Sequence, residues 1–252
     1  MLLCTVRDCR LPLAREGQSY RCPRGHAFDI ARSGYVNLLQ PQDRRSKQPG
    51  DTAAAVGARR RLHDRGVTAP FVEGIRAAAR VVDSDIVLDA GCGDGFYLGH
   101  LAGERHGVDI SVPAIDAAAR RFPGCEWVVA NADRFVPWPD GSFSLLLSIT
   151  GRMNPAEFRR VLRGDGRLLV AVAAPDDLIE LRGRGRDRVE RTVSEFAGQF
   201  RLEERGNISA AADLDRSGVE DVLVSIYRPL RTEPIEAKRV TFSLDWLLFR
   251  PI

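Results

Sequence analysis

From residue 70 onward the chain switches repeatedly between two hydrophobic periods. "PFVEGIRAAARVV" (70–82) carries apolar residues at helical spacing, as do "GFYLGHLAGER" (95–105), "VPAIDAAARRF" (112–122) and "PAEFRRVL" (155–162). Between them lie short apolar runs: "IVLDAG" (86–91), "HGVDIS" (106–111), "CEWVVANA" (125–132), "FSLLLSIT" (143–150) and "GRLLVAVAA" (166–174). Runs this short, alternating with helices over short connections, predict a mostly parallel sheet covered on both faces. Residues 186–200 read as another helix. "DVLVSIYRPL" (221–230) and "KRVTFSLDWLLFRP" (238–251) read as late antiparallel strands. The expected fold class is α/β.

The first third of the chain is organised differently. Residues 1–35 read as short strands and turns, and "LLQPQDRRSKQPGD" (38–51) as a Pro/Gln/Arg-rich loop. In "TAAAVGARRRLHDRG" (52–66), alanine and arginine favour a helix and Gly66 suits its C-terminal cap. The expected organisation is a small module over 1–37, a basic linker and helix over 38–69, and the α/β domain over 70–252. A chain of 252 residues is long enough for one such domain and an accessory module. No apolar run approaches membrane-spanning length, and "MLLCTV" is too short for the apolar core of a signal peptide. The expected compartment is the cytoplasm, where thiols stay reduced.

Charge changes this picture through its distribution. The formal net charge is only +3, but residues 1–65 hold thirteen Lys/Arg against six Asp/Glu. A basic module on a mildly acidic domain points to a polyanion partner. Arg44, Arg45 and Lys47 on the loop, with Arg59, Arg60 and Arg61 on the helix that follows, are the candidate contacts to that polyanion.

Two stretches carry chemistry. Cys4, Cys9, Cys22 and His26 crowd into a segment too short to bury a core, as two close pairs separated by twelve residues containing Pro12 and Gly17. Two ligand pairs on two short loops can converge on one tetrahedral ion, and Zn²⁺ suits three thiolates plus an imidazole. In "VLDAGCGDGFY" (87–97) a strand ends at Asp89, then Gly91, Gly93 and Gly95 let the backbone turn sharply and approach a ligand. The D-x-G-x-G-x-G spacing differs from the dinucleotide fingerprint, which leaves NAD as the alternative ligand. Asp109, at the end of the next strand, can accept both hydroxyls of a ribose, and "VANAD" (129–133) falls where an adenine would lie.

That combination resembles the class I, Rossmann-like S-adenosylmethionine-dependent methyltransferases. With the zinc module included, the chain resembles the bacterial 23S rRNA guanine-N1 methyltransferases, the family that includes a tylosin-resistance enzyme. The similarity runs through "SYRCPRGHAFDIARSGYVNLL", "RRSKQPGD", "ARR", "LDAGCGDGFY", "DIS", "EFRRVL" and "FSLDWLLFRP". It implies zinc at Cys4, Cys9, Cys22 and His26. It implies S-adenosyl-L-methionine around Thr68, Asp89, Gly91, Gly93, Phe96, Tyr97, Leu98 and Ile110, with Asp109 on the ribose and Asn131 and Ala132 near the adenine. It also implies a homodimer whose zinc modules help form a cleft for a 23S rRNA hairpin. The chain departs from the family where an aromatic-Ala-Pro run is usual and Thr150-Gly151-Arg152 stands instead, at Thr68 for an aromatic, and at Asp177 for a histidine. Arg152 could replace a lost stacking surface with its guanidinium plane. For the proton on guanine N1, Asp133, Asp176 and Asp177 are candidate acceptors by position. The competing readings are a methyltransferase of the same fold acting on a small molecule or protein, and a non-catalytic RNA-binding protein.

Overall fold

The computed structural model describes residues 1–43, 49–226 and 235–252. The N-terminal module forms a three-stranded antiparallel sheet of β1 (Ala14–Glu16), β2 (Ser19–Arg21) and β3 (Ala27–Asp29), and is followed by β4 (Val36–Asn37). Helices α1 (Ala53–Asp64) and α2 (Ala69–Ala79) lead into the alternating region. There, β5 (Ile86–Ala90), α3 (Phe96–Gly99), β6 (Glu104–Asp109), α4 (Val112–Arg121) and β7 (Glu126–Val129) follow in order. Next come β8 (Phe143–Ile149), α5 (Pro155–Val161), β9 (Leu162–Ala173), α6 (Ile179–Arg182) and α7 (Val189–Phe196). The described chain closes with β10 (Phe200–Leu214), α8 (Arg216–Ser225) and β11 (Lys238–Pro251).

The main sheet has eight strands in the order β10-β11-β9-β8-β5-β6-β7-β4. Pairings from β4 to β9 are parallel, and β11 joins β9 and β10 antiparallel. The order reverses at β5, between β6 and β8, so a crevice opens beyond the carboxyl ends of these strands. Two apolar layers cover the sheet. One contains Leu88, Val108, Val128, Leu146, Phe158 and Phe249, and the other contains Ile75, Val87, Ile115, Trp127, Leu145 and Leu248. The helices start where the chain supplies caps: Thr52 accepts from Ala55 N–H, Ser111 from Ala114 N–H and Asn154 from Glu157 N–H.

The N-terminal module is not detached from this sheet. Val36 and Asn37 pair in parallel with Val128 and Val129, placing β4 on the sheet edge. Leu3 N–H donates to Pro137 C=O at 3.0 Å, and Leu2, Leu13 and Phe28 share an apolar cluster with Leu146 and Phe249.

Two expected elements differ, and one strand was not expected. The helix over 95–105 shrinks to the single turn Phe96–Gly99, because Gly99 packs against the Phe122 ring and Gly103 turns back at left-handed φ. The described part of "DVLVSIYRPL", residues 221–226, is not a strand: Asp221–Ser225 ends α8, which Asp215 caps through Gly218 N–H and which buries Val219 and Val222 three residues apart. The long strand β10 had no clear apolar signature, because its outer face is polar and its inner face (Phe200, Leu202, Ile208, Ala210, Ala212 and Leu214) is broken by an irregularity after Leu202 and by Gly206. Its register comes from pairing with β11 along its whole length.

Candidate active site and metal centre

Each metal-ligand pair is shaped by a tight turn. Cys4 N–H donates to Leu11 C=O and Cys9 N–H to Val6 C=O, while Cys22 N–H donates to His26 C=O across the turn closed by Gly25. The four ligand atoms lie within 4.8 Å of one another. Cys9 Sγ and Cys22 Sγ are 3.8 Å apart, and His26 Nδ1 lies 3.4 Å from Cys4 Sγ and 3.3 Å from Cys22 Sγ. A tetrahedral ion with Zn–S bonds of about 2.3 Å sets two sulfurs about 3.8 Å apart, so the donor set fits zinc without rearrangement. Burial pushes the Cys4 thiol up to about 12, with Cys9 and Cys22 adding to the effect. A cation is what allows these sulfurs to be thiolates together.

The second site lies on the glycine turn between β5 and α3. Asp109 joins that turn to the end of β6: one carboxylate oxygen accepts Gly93 N–H at 2.9 Å and the other accepts Ser111 N–H at 2.8 Å. Gly95 opens α3 at φ 72°, and a side chain there would run into the Trp127 ring. On the β8 side, Gly151 brings its backbone against Gly91; a Cβ on Gly151 would sit 3.0 Å from Ala90 C=O. Thr150 before it takes a left-handed φ of 52°.

The electrostatics of this crevice are acidic. Asp89 is buried, burial pushes its carboxyl up to about 8 with Asp109 reinforcing it, and its Oδ1 has no hydrogen-bond partner among the described residues. Burial likewise raises Asp109 against the two N–H donors that lower it. Asp94 is held below the usual carboxylate range: burial opposes this, but His63 and Arg59 outweigh it. His63 comes from α1, stacks flat on Phe96 at 3.8 Å, and places Nδ1 2.6 Å from Thr68 Oγ1 and Nε2 3.5 Å from Asp94. Buried carboxylates with an orphaned oxygen suit a cationic ligand, and S-adenosylmethionine carries both a sulfonium and an ammonium group.

Thr68, Asp89, Gly91, Gly93, Phe96, Tyr97 and Asp109 therefore gather around one turn. Ile110 packs against Gly50, beside Ser111, whose Oγ donates to Asp51 C=O. Asn131 donates to Asp43 C=O, and Ala132 C=O accepts from Asn154. Leu98 is fully buried in the apolar layer beside β5. Asp177 has both oxygens engaged, by Ser243 N–H and by Arg182, while Asp133 pairs with the exposed Arg152 at 3.4 Å. Among the expected RNA contacts, Arg60 is exposed and Arg61 clamps Asp221 with Nε and Nη2. Arg59 is instead turned inward onto Asp51, because the crevice carboxylates attract it. Arg44, Arg45 and Lys47 lie outside the described residues. Away from the crevice, a cleft of about 650 Å³ between the zinc module and β7 is lined by Arg15, Tyr20, Arg32 and Glu126. His63, Asp94 and Asp51 were not anticipated; Arg59 and His63 stand four apart on α1, a spacing that puts both on one face.

Over 97% of its length the chain is 33% identical to 95% of a Streptomyces fradiae protein named 23S rRNA (guanine(748)-N(1))-methyltransferase. The chain belongs to the 23S rRNA guanine-N1 methyltransferase family. A Micromonospora griseorubida protein provisionally assigned to the guanine-N1 methyltransferases is 37% identical over 73% of this chain and 69% of its own. A family profile described as RlmA, N-terminal, a zinc ribbon, matches residues 3–47, and one described as a methyltransferase domain matches 87–170. Among solved structures, a chain from the complex of the Haloferax volcanii Trm112 methyltransferase activator with a methyltransferase superposes with a TM-score of 0.58 at 17% identity, covering 82% of this chain and all of that one. At that identity the likeness concerns the fold. Family membership brings S-adenosylmethionine and zinc as the cofactors, and the Cys₃His cluster is a donor set that could hold the metal. No helix among the described residues is long and apolar enough to cross a membrane.

Proposed function

We propose that this family member methylates N1 of a guanine in a 23S rRNA hairpin, acting as a homodimer through its 70–252 domain while the 1–37 zinc module and 38–69 segment hold the RNA. The relative from Streptomyces fradiae supports the choice of base, because the similarity runs nearly end to end. The single observation that carries the residue roles is the Arg152–Asp133 pair. It stands on the loops that follow β8 and β7, beside the glycine turn that Gly151 touches. A carboxylate and a guanidinium side by side complement guanine's pairing edge, which offers N1–H and N2–H donors next to the O6 acceptor.

When bound, S-adenosylmethionine supplies a methyl group on a cationic sulfur. The remaining requirements fall on the protein. Asp133 accepts the N1 proton, leaving an electron pair in the ring plane for the new N–C bond. Arg152 holds O6 and favours the charge that develops there. The crevice fixes the two reactants in attack geometry, which removes the entropy cost of their encounter. The guanine must leave its stack, because N1 faces its pairing partner.

Mass mapping of methylated nucleotides in 23S rRNA, with and without the protein, tests the acceptor. Asp133→Asn should slow transfer by about 10²–10⁴-fold with donor affinity unchanged. Wild-type rates in that variant would remove Asp133 from the chemistry. An unmodified rRNA with active donor-bound protein would hand the reading to a small-molecule acceptor.

A further inference from the structure

Arg59 was expected among the RNA contacts, yet it is the guanidinium that the acidic crevice shares. Its Nη1 lies 2.6 Å from Asp51 Oδ2, and its Nη2 donates to Ser225 C=O at 3.1 Å. The same Nη1 would be 3.3 Å from a Cβ built on Gly93, so the group lies directly over the glycine turn. Asp94 and Asp109 are its next charged neighbours. Its side chain as a whole keeps 28% of its surface exposed. A cation committed to one short carboxylate contact, over a turn that approaches a ligand closely, is poised to exchange that carboxylate for another.

We propose that Arg59 is the residue that recognises the α-carboxylate of the methyl donor, and that Asp51 occupies the same guanidinium when no donor is bound. The proposal rests on the glycine turn being the donor site. It resolves a charge problem, since the donor's two cationic groups suit Asp89 and its neighbours while the donor's carboxylate does not. Bidentate pairing with a guanidinium would supply the missing complement at the α3 end of the turn. The Asp51 carboxylate, held in place by Ser111 through its backbone oxygen, then acts as an internal competitor. Arg59 is on this view a positioning and specificity residue, and takes no part in methyl transfer.

The test compares two ligands that differ only in that carboxylate. Calorimetric titrations would use the zinc-loaded full chain with S-adenosylmethionine and with decarboxylated S-adenosylmethionine. Wild type should prefer the carboxylated ligand by about 10–100-fold, the range for a hydrogen-bonded charged pair. Arg59→Gln should lose most of that preference, with affinity for the decarboxylated ligand changed less than about threefold. Arg59→Lys should recover part of the preference. Asp51→Asn should bind S-adenosylmethionine at least as tightly as wild type. Equal weakening toward both ligands in Arg59→Gln, with an unchanged far-ultraviolet spectrum and melting curve, would make Arg59 a structural tie and overturn the proposal, as would a wild type with no preference. A wild type that binds neither ligand would instead overturn the donor-site reading beneath it.

Discussion

The zinc cluster and the glycine crevice are both knots of polar side chains in otherwise apolar surroundings, but they solve the problem of burial in opposite ways. At the zinc cluster all four ligands come from one stretch of 23 residues, Cys4 to His26, and their ligand atoms lie within 4.8 Å of one another. At the crevice, Asp89, Asp94 and Asp109 come from a strand end, a turn and a second strand end, and the cation facing Asp94 and Asp109 is Arg59 from α1. The first site is local and nearly self-sufficient in geometry. The second exists only once α1 has docked and the sheet has formed, and it keeps one carboxylate oxygen without a partner. A structural metal site can be closed; a donor site must stay incomplete until its ligand arrives.

The largest effect should come from breaking the closed site. Cys22→Ser should release the single equivalent of zinc, and structural zinc typically contributes on the order of 10 kcal/mol to a small module. Residues 1–35 should lose amide protection while β5, β8 and β9 retain theirs, since those strands have their own core. Metal analysis that finds no zinc in wild-type protein prepared without chelator would end the assignment, and simultaneous loss of protection in every strand would erase the contrast between the sites.

A smaller loss is expected at the ribose acid. Asp109→Ala removes a charged acceptor from the donor and unties Gly93 from Ser111, so S-adenosylmethionine affinity should fall by about 1.5–3 kcal/mol. Calorimetry returning wild-type affinity would move the ribose elsewhere.

The smallest effect sharpens the electrostatic half of the comparison. Asp89 titrates near 8 in the free protein, far above an unfolded aspartate. Its folded-state charge is therefore disfavoured, so stability should decline as pH rises from the unfolded value toward about 8. A cationic donor favours the ionised form and lowers that pKa, so binding releases a proton. Affinity for S-adenosylmethionine should accordingly rise between pH 6 and 8, by up to about tenfold in all, and level off above. In Asp89→Asn the profile should flatten; an identical slope in both proteins would detach the buried acid from donor binding.

Much of the closed site was legible in the amino-acid order, because ligand identity, pair spacing and intervening turns are properties of contiguous residues. The strand-and-helix alternation, the glycine turn and Asp109 were legible for the same reason. What escaped were features created by distant chain meeting distant chain. His63 stacks on Phe96 only after α1 packs over α3, and nothing adjacent to His63 signals it. Arg59 looks like one of three consecutive surface arginines, yet Arg60 faces solvent and Arg61 reaches to Asp221 while helical phase turns Arg59 toward Gly93. The strand β10 has too little apolar alternation to announce itself, and the valines of α8 suggest a strand until Asp215 caps them into a helix.

The two residues of β4 have one more consequence. A doubly wound sheet ordinarily ends in a strand whose outward N–H and C=O groups are free to recruit another chain, the geometry from which aggregates grow. Here the zinc module lays Val36 and Asn37 along Val128 and Val129 and blunts that border. Loss of the metal from the module is therefore expected to bare that border along with the ligands.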